Sequence, residues 1–187
     1  YIMALTKTPV CDFGKKAKNF KLKSINNKVI TLNDIKGEKA TLIMFICNHC
    51  PYVKAIIKDL AKDCNELKND GISSVAIMSN DTKNYPEDSF DNMMKFAESN
   101  NFRNINYLFD ETQEIAKKYG AVCTPDFFGY NRNLELQYRG RFRELKDLKP
   151  INNGDSDLKI AMKMVAQTQK GPDEQIPSMG CNIKWFN

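Results

Sequence analysis

The chain has 187 residues, 42% of them hydrophobic and 27% charged, the balance of one globular domain spanning residues 1–187. At that length roughly 70% of the unfolded surface can be buried, which suits a self-sufficient core. A mean hydropathy of -0.52 and the lack of any apolar run near ~18–20 residues exclude a bilayer-spanning segment. A net charge of +5 is too diffuse to specify nucleic acid, and 9 Gly with 7 Pro exclude a low-complexity chain.

Tyr1 and Ile2 read as expression residues ahead of Met3, and Tyr1 to Lys7 carries neither a basic region leading into an apolar one nor a cleavage site. The expected compartment is therefore the reducing cytoplasm, where paired cysteines do redox or metal chemistry more often than structural bridging. Lys15, Lys16, Lys18, Lys21 and Lys23 form a basic cluster that reads as a solvated edge. Phe20 to Lys23 and Val29 to Leu32 flank Asn26-Asn27 as a hairpin would. Ala40 to Ile46 is an unbroken apolar run, the pattern of a strand buried on both faces, and it leads into Cys47-Asn48-His49-Cys50-Pro51.

Beyond that point the period changes. Val53, Ile56, Ile57, Leu60, Cys64 and Leu67 fall on one helical stripe, with Pro51 in the first turn and Asn69-Asp70-Gly71 as the stop. Ile72 to Met78 reads as a second buried strand. Pro86-Glu87 opens a helix carrying Phe90, Met93, Met94 and Ala97, and Ile105 to Phe109 is a third strand. Asp110 with Gln113 resembles a capping box for a helix ending at Tyr119-Gly120. Phe127 to Tyr130 and Leu134 to Tyr138 read as an antiparallel pair, and Arg139, Arg141 and Arg143 alternate as an exposed strand end would. Asn152 to Asp157 lacks the spacing and closing Glu of a calcium loop. Ser156 or Asp157 caps a last helix with Leu158, Ala161, Met162 and Val165 inward, stopped by Gly171-Pro172. Alternating strands and helices with a terminal hairpin predict an α/β sandwich around a mixed sheet.

The chemistry lies in the cysteines. The chain has 6, and only Cys47 and Cys50 are close in sequence. Two cysteines three apart at a helix start can close a small disulfide ring. The unsatisfied N–H groups there favour thiolate over thiol. A free thiol of pKa about 8.5 is only a few per cent ionised at pH 7, so such a shift decides reactivity. His49 between them adds a donor or a positive charge.

The order strand, Cys-x-x-Cys, helix, strand, helix, then Thr124-Pro125 before Phe127-Phe128, resembles the thioredoxin fold. With the amino-terminal hairpin, the insertion around Tyr85 to Asn101 and the closing Ser178 to Trp185, it resembles peroxiredoxin-like redoxins related to the AhpC/TSA proteins. That resemblance implies a central mixed sheet flanked by helices, a β-hairpin extension and a C-terminal tail. It also implies a cis peptide at Pro125, with Thr124 and Pro125 holding the substrate backbone. By analogy with His-containing dithiols, it makes Cys47 the exposed attacking thiol and Cys50 the resolving one. Where thioredoxins carry a buried acid this chain has Thr41, so the usual proton acceptor is missing. In the peroxiredoxin alignment Cys50 takes the peroxidatic position, Cys47 replaces a Thr, and no Arg accompanies Cys123-Thr124-Pro125.

The implied activity is thiol–disulfide oxidoreduction by Cys47 and Cys50 on protein or small-molecule disulfides, with a cellular thiol as reductant and no metal, haem or nucleotide. The alternatives are a thiol peroxidase using Cys50 and a non-catalytic binding module. In the latter a zinc site would draw on Cys47, Cys50 and two of His49, Cys123 and Cys181. Cys181 and Cys123 are additional redox candidates, whereas Cys64 on the apolar stripe and Cys11 read as packing residues.

Overall fold

The computed structural model describes residues 4–187, so the reading of Tyr1 to Met3 falls outside the described residues. β1 (Leu5–Lys7) is followed by the expected hairpin, β2 (Lys21–Ser24) and β3 (Val29–Thr31), turning at Asn27 with φ of 65°. A short α1 (Leu32–Ile35) starts at Thr31, whose hydroxyl accepts from the Asp34 N–H while the Asp34 carboxylate accepts from the Thr31 N–H. β4 (Ala40–Phe45) is buried at every residue, as an apolar run between two layers must be.

After the cysteine motif come α2 (Pro51–Lys54), α3 (Ile57–Leu67), β5 (Ile72–Met78), α4 (Phe90–Ser99), β6 (Ile105–Phe109) and α5 (Glu114–Tyr119). Next are β7 (Cys123–Thr124), β8 (Asp126–Asn131), β9 (Leu136–Tyr138), the small pair β10 (Leu145–Lys146) and β11 (Lys149–Pro150), α6 (Asp157–Thr168) and β12 (Met179–Asn182). The 7-stranded sheet runs β3-β2-β6-β5-β4-β8-β9. β4, β5 and β6 are parallel, and β2 and β8 join them antiparallel.

Side chains along β4 alternate between the two faces. Leu42, Met44 and Ile46 join a core with α3, α4 and α6, whereas Ile43 and Phe45 join a second core with α1 and α5. The motif at the end of β4 therefore lies beneath the layer of α3, α4 and α6. No helix among the described residues is long and apolar enough to cross a membrane.

Several expectations are corrected. The single helix from Pro51 is two helices, because the Ile56 N–H bonds to the Val53 carbonyl at 3.1 Å in a tightened turn. Such a turn aligns residues three apart, and Val53, Ile56 and Ile57 are all buried. Pro86 opens only a 3-10 turn, and α4 starts after Ser89, whose hydroxyl accepts from the Asn92 N–H. Gln113 does not complete a capping box. The Asp110 carboxylate alone accepts from the N–H groups of Ile115 and Ala116 at 3.2 and 2.9 Å. Gln113 instead ties the carboxyl-terminal segment, its Nε2 donating to the Lys184 carbonyl at 2.8 Å and its Oε1 accepting from the Phe186 N–H at 2.9 Å.

Arg139 is buried, not an exposed strand end. β9 stops at Tyr138, and the guanidinium bonds the Asp126 carboxylate at 3.0 and 3.3 Å and lies 4.3 Å above the Phe128 ring. Asp126 has no exposed surface, and a buried carboxylate needs such a partner. The sequence also gave no sign of a 3-stranded sheet, β1-β12-β7, in which the tail strand is central.

Candidate functional site

Strand β4 ends at Phe45, and the next five residues carry the motif out of the sheet into α2. Cys50 occupies the position before that helix with extended φ and ψ, and Pro51 starts the first turn. Both sulfurs are covered: Cys47 is 1% exposed and Cys50 is 0% exposed. The expectation of Cys47 as the exposed thiol is therefore not met.

The donors converge on Cys50. Its thiol is lowered from 9.0 to about 5, first by a hydrogen bond from the Cys47 thiol, against the opposing effect of burial. The Cys181 and Thr124 side chains and the Val53 N–H add to it. The source is a set of local donors, since α2 is only 4 residues long. Cys47 moves the other way, well above its ordinary value. Burial is the main cause, followed by the proton it shares towards Cys50 and the nearby Asp88 carboxylate.

Asp88 is the group the sequence did not reveal. It lies in the 3-10 turn Pro86–Asp88, has no exposed surface, and reaches across 39 residues to the His49 ring at 2.6 Å from Nδ1. Asn80 Nδ2 donates to the same carboxylate oxygen at 2.9 Å, and the other oxygen accepts from the Asn48 N–H at 2.8 Å. Asn48 in turn accepts from the Tyr107 hydroxyl at 2.8 Å. His49 is half-buried, stacks on Tyr85 with an interplanar angle of 10°, and is raised above 6.5 chiefly by the Asp88 hydrogen bond.

Among the described residues the three-donor group that could hold a metal is Cys47, His49 and Asp88, all within 4.8 Å of one another. The His49–Asp88 separation of 2.6 Å is a hydrogen-bond distance, shorter than the ~3.3 Å between two ligand atoms on one tetrahedral zinc. The set named from the sequence, with Cys50 and two further residues, is not gathered into such a group.

Thr124 and Pro125 form a shelf beside both sulfurs, and their peptide bond is cis, as expected. The Thr124 hydroxyl lies 3.5 Å from Cys47 Sγ, and the Thr124 carbonyl lies 3.3 Å from Cys50 Sγ, within reach of the thiol proton. The edge expected to receive a substrate backbone is already taken by β12, which pairs Cys181 with Thr124. This pairing brings Cys181 Sγ to 3.1 Å from Cys50 Sγ.

Cys181 is buried, and burial is the main reason its thiol is pushed up to about 12. Cys123 is buried too, but its thiol turns to the Pro125 carbonyl at 3.5 Å, and burial raises its pKa. Cys64 is buried in the core and raised to about 12, which fits its packing role. Cys11 is half-buried and raised to about 11, both chiefly by burial of the thiol. Beyond Pro125 opens a cavity of about 530 Å³, lined by Tyr52, Ile56, Phe142, Ile176 and Met179 with Lys7, Arg141 and Arg143 among its polar groups.

A sequence model of the AhpC/TSA family matches residues 13–142. No curated protein matches the chain. Among solved structures, an uncharacterized conserved protein from Geobacillus kaustophilus is 40% identical over 98% of this chain and 97% of its own, with a TM-score of 0.93. A hypothetical protein from Sinorhizobium meliloti is 36% identical over 97% of this chain and 98% of its own, with a TM-score of 0.89. The thioredoxin domain of a thiol-disulfide oxidoreductase from Bacteroides vulgatus is 18% identical over 68% and 86%, with a TM-score of 0.57, a likeness of fold.

Proposed function

The chain belongs to the AhpC/TSA family, and from that footing we propose that it is a thiol–disulfide oxidoreductase in which Cys50 attacks and Cys47 resolves. The carrying observation is the set of donors that converges on one sulfur and lowers it to about 5. At neutral pH Cys50 is the thiolate, and its neighbour Cys47 keeps its proton. The Cys50 thiolate attacks one sulfur of a substrate disulfide, the S–S bond breaks, and one substrate thiolate leaves. Cys47 then gives its proton to the Asp88 carboxylate, which His49 holds by a hydrogen bond, and attacks Cys50 Sγ. The Cys47–Cys50 disulfide closes and the second substrate thiolate departs. A cellular thiol in a reducing compartment such as the cytoplasm returns the pair to the dithiol.

This reading reverses the roles expected from the sequence. Order within a Cys-x-x-Cys motif does not set acidity; the donors around each sulfur do. Asp88 fills the place of the acid missing at Thr41. The cavity beside Pro125 is where a disulfide substrate would approach, with apolar walls and charged groups of both signs suited to a small disulfide or a peptide segment.

The test is the first attack on a small disulfide, read as rapid release of the first substrate thiol. Cys47→Ser should keep that burst and Cys50→Ser should lose it. The reverse result would return the attacking role to Cys47.

Peroxide reduction by Cys50 is the second reading, favoured by its complete burial, which admits a small electrophile more readily than a folded protein. Cys50 would take the distal peroxide oxygen as a sulfenate, and the alcohol or water would leave. Against it, Arg139 is held by Asp126 and packs over Phe128. Capture of a sulfenate at Cys50 under limiting peroxide, before any disulfide forms, would favour this reading.

A further inference from the structure

We propose that Cys181 is a second disulfide partner of Cys50, so that the site cycles through two alternative disulfides that share one sulfur, Cys47–Cys50 and Cys50–Cys181. This rests on the reading of Cys50 as the attacking thiolate and adds a third thiol to it. The Sγ–Sγ separation is 3.1 Å, about 1 Å longer than the ~2.05 Å of a disulfide bond. A gap of about 1 Å is on the scale of side-chain rotation.

The position of Cys181 is built by the surrounding backbone. β12 is the central strand of its sheet, with Cys181 opposite Leu5 on one side and Thr124 on the other. Thr124 is also the residue whose carbonyl lies against Cys50 Sγ, so the ladder itself aims Cys181 at that sulfur. Gly180 permits the approach. A Cβ there would stand 2.0 Å from the Thr124 carbonyl oxygen and 3.1 Å from Pro125 Cδ, so any other residue would push the strand off the shelf.

The strand is tied at both ends as well. Before it, the Ser178 hydroxyl donates to the Pro125 carbonyl at 2.8 Å. After it, the Lys184 N–H donates to Asn80 Oδ1 at 2.9 Å, and the Lys184 carbonyl accepts from Gln113 Nε2 at 2.8 Å. Cys123 shows the contrast: it is equally buried and next to Thr124, yet its thiol is turned to the Pro125 carbonyl.

The exchange needs no outside oxidant. Starting from Cys47–Cys50, the Cys181 thiol loses its proton and attacks Cys50 Sγ. The Cys50–Cys181 bond forms, the Cys47–Cys50 bond breaks, and Cys47 takes up the proton. The oxidised bond thus passes from the Asp88 side of the site to β12, whose Met179 lines the cavity.

The test treats reduced protein with one equivalent of oxidised glutathione, followed by acid quench and disulfide mapping. Wild-type protein should yield both the Cys47–Cys50 and the Cys50–Cys181 bond. In Cys47→Ser the glutathione adduct on Cys50 should resolve into Cys50–Cys181. In Cys47→Ser with Cys181→Ser the same adduct should persist more than about 100-fold longer, because the tethered thiol is gone. Equal adduct lifetimes in the two variants, or only Cys47–Cys50 in the wild type, would overturn the inference and leave the reading of Cys50 intact. No adduct at Cys50 in any of these proteins would overturn both. Should Cys47→Ser fail to fold, the wild-type map decides alone.

Discussion

Cys47 and Cys50 leave the same strand, are covered to the same degree and touch the same residue of the shelf, Thr124. Around Cys47 the neighbours are a buried carboxylate and an imidazole tied to it. Around Cys50 they are two thiols, a hydroxyl-bearing side chain and a backbone N–H. Burial alone raises a thiol's pKa, and it does so at both sites. The sulfur with converging donors overcomes that cost, and the one beside an acid does not. The two halves of the motif thus divide the labour of exchange, one holding charge and the other holding a proton beside an acceptor.

The largest effect expected from this division is on ionisation. Thiolate absorbance of the reduced protein should show a step near pH 5, the value to which Cys50 is lowered. Cys50→Ser should remove the step, and Cys47→Ala, which unlike a serine leaves no donor in place, should move it up towards 9.0. Alkylation rates at one pH discriminate poorly, because nucleophilicity falls as acidity rises, with a Brønsted slope of about 0.4–0.5. The pH profile is therefore the measurement, and a step that survives in Cys50→Ser would place the thiolate on another sulfur.

A smaller effect should follow from Asp88→Asn. The amide can still accept from the Asn48 N–H, but it no longer takes a proton from Cys47. Decay of the mixed disulfide on Cys50, followed by single-turnover kinetics in a Cys181→Ser background, should slow by roughly 100-fold, the usual worth of a positioned base. The first attack on substrate should be little changed. If closure keeps its rate, Asp88 is only an anchor for Asn48 and His49.

What the sequence made legible follows from range. The apolar runs of β4, β5 and β6, the Ser156 cap of α6 and the Cys47/Cys50 pair are all written within a few consecutive residues. Asp88 reaches His49 across 39 residues and Cys181 reaches Cys50 across 131, and neither separation leaves a local pattern. β1 and β7 have 3 and 2 residues, too few for a period to appear, so the sheet that aims Cys181 was invisible although its cysteine was not. Arg139 failed for a related reason. Its alternation with Arg141 and Arg143 looks like a solvated strand, and only the buried Asp126 beside it reverses the meaning.

The smallest expected effect tests whether the imidazole tied to Asp88 is protonated. His49 is raised above 6.5 chiefly by its hydrogen bond to Asp88. A base with a raised folded pKa binds its proton more tightly in the native state. Its contribution to stability is then complete below pH 6.5 and fades as pH rises through the folded value. Stacking of the ring on Tyr85 does not depend on protonation in the same way and leaves a residue at high pH. Urea unfolding of the wild type and His49→Gln should therefore differ by about 1 kcal/mol on the acid side of that range. The difference should narrow as the solution becomes alkaline. A gap that stays constant with pH would mean that the imidazole stands neutral against Asp88, with a ring nitrogen free to take a proton beside the carboxylate.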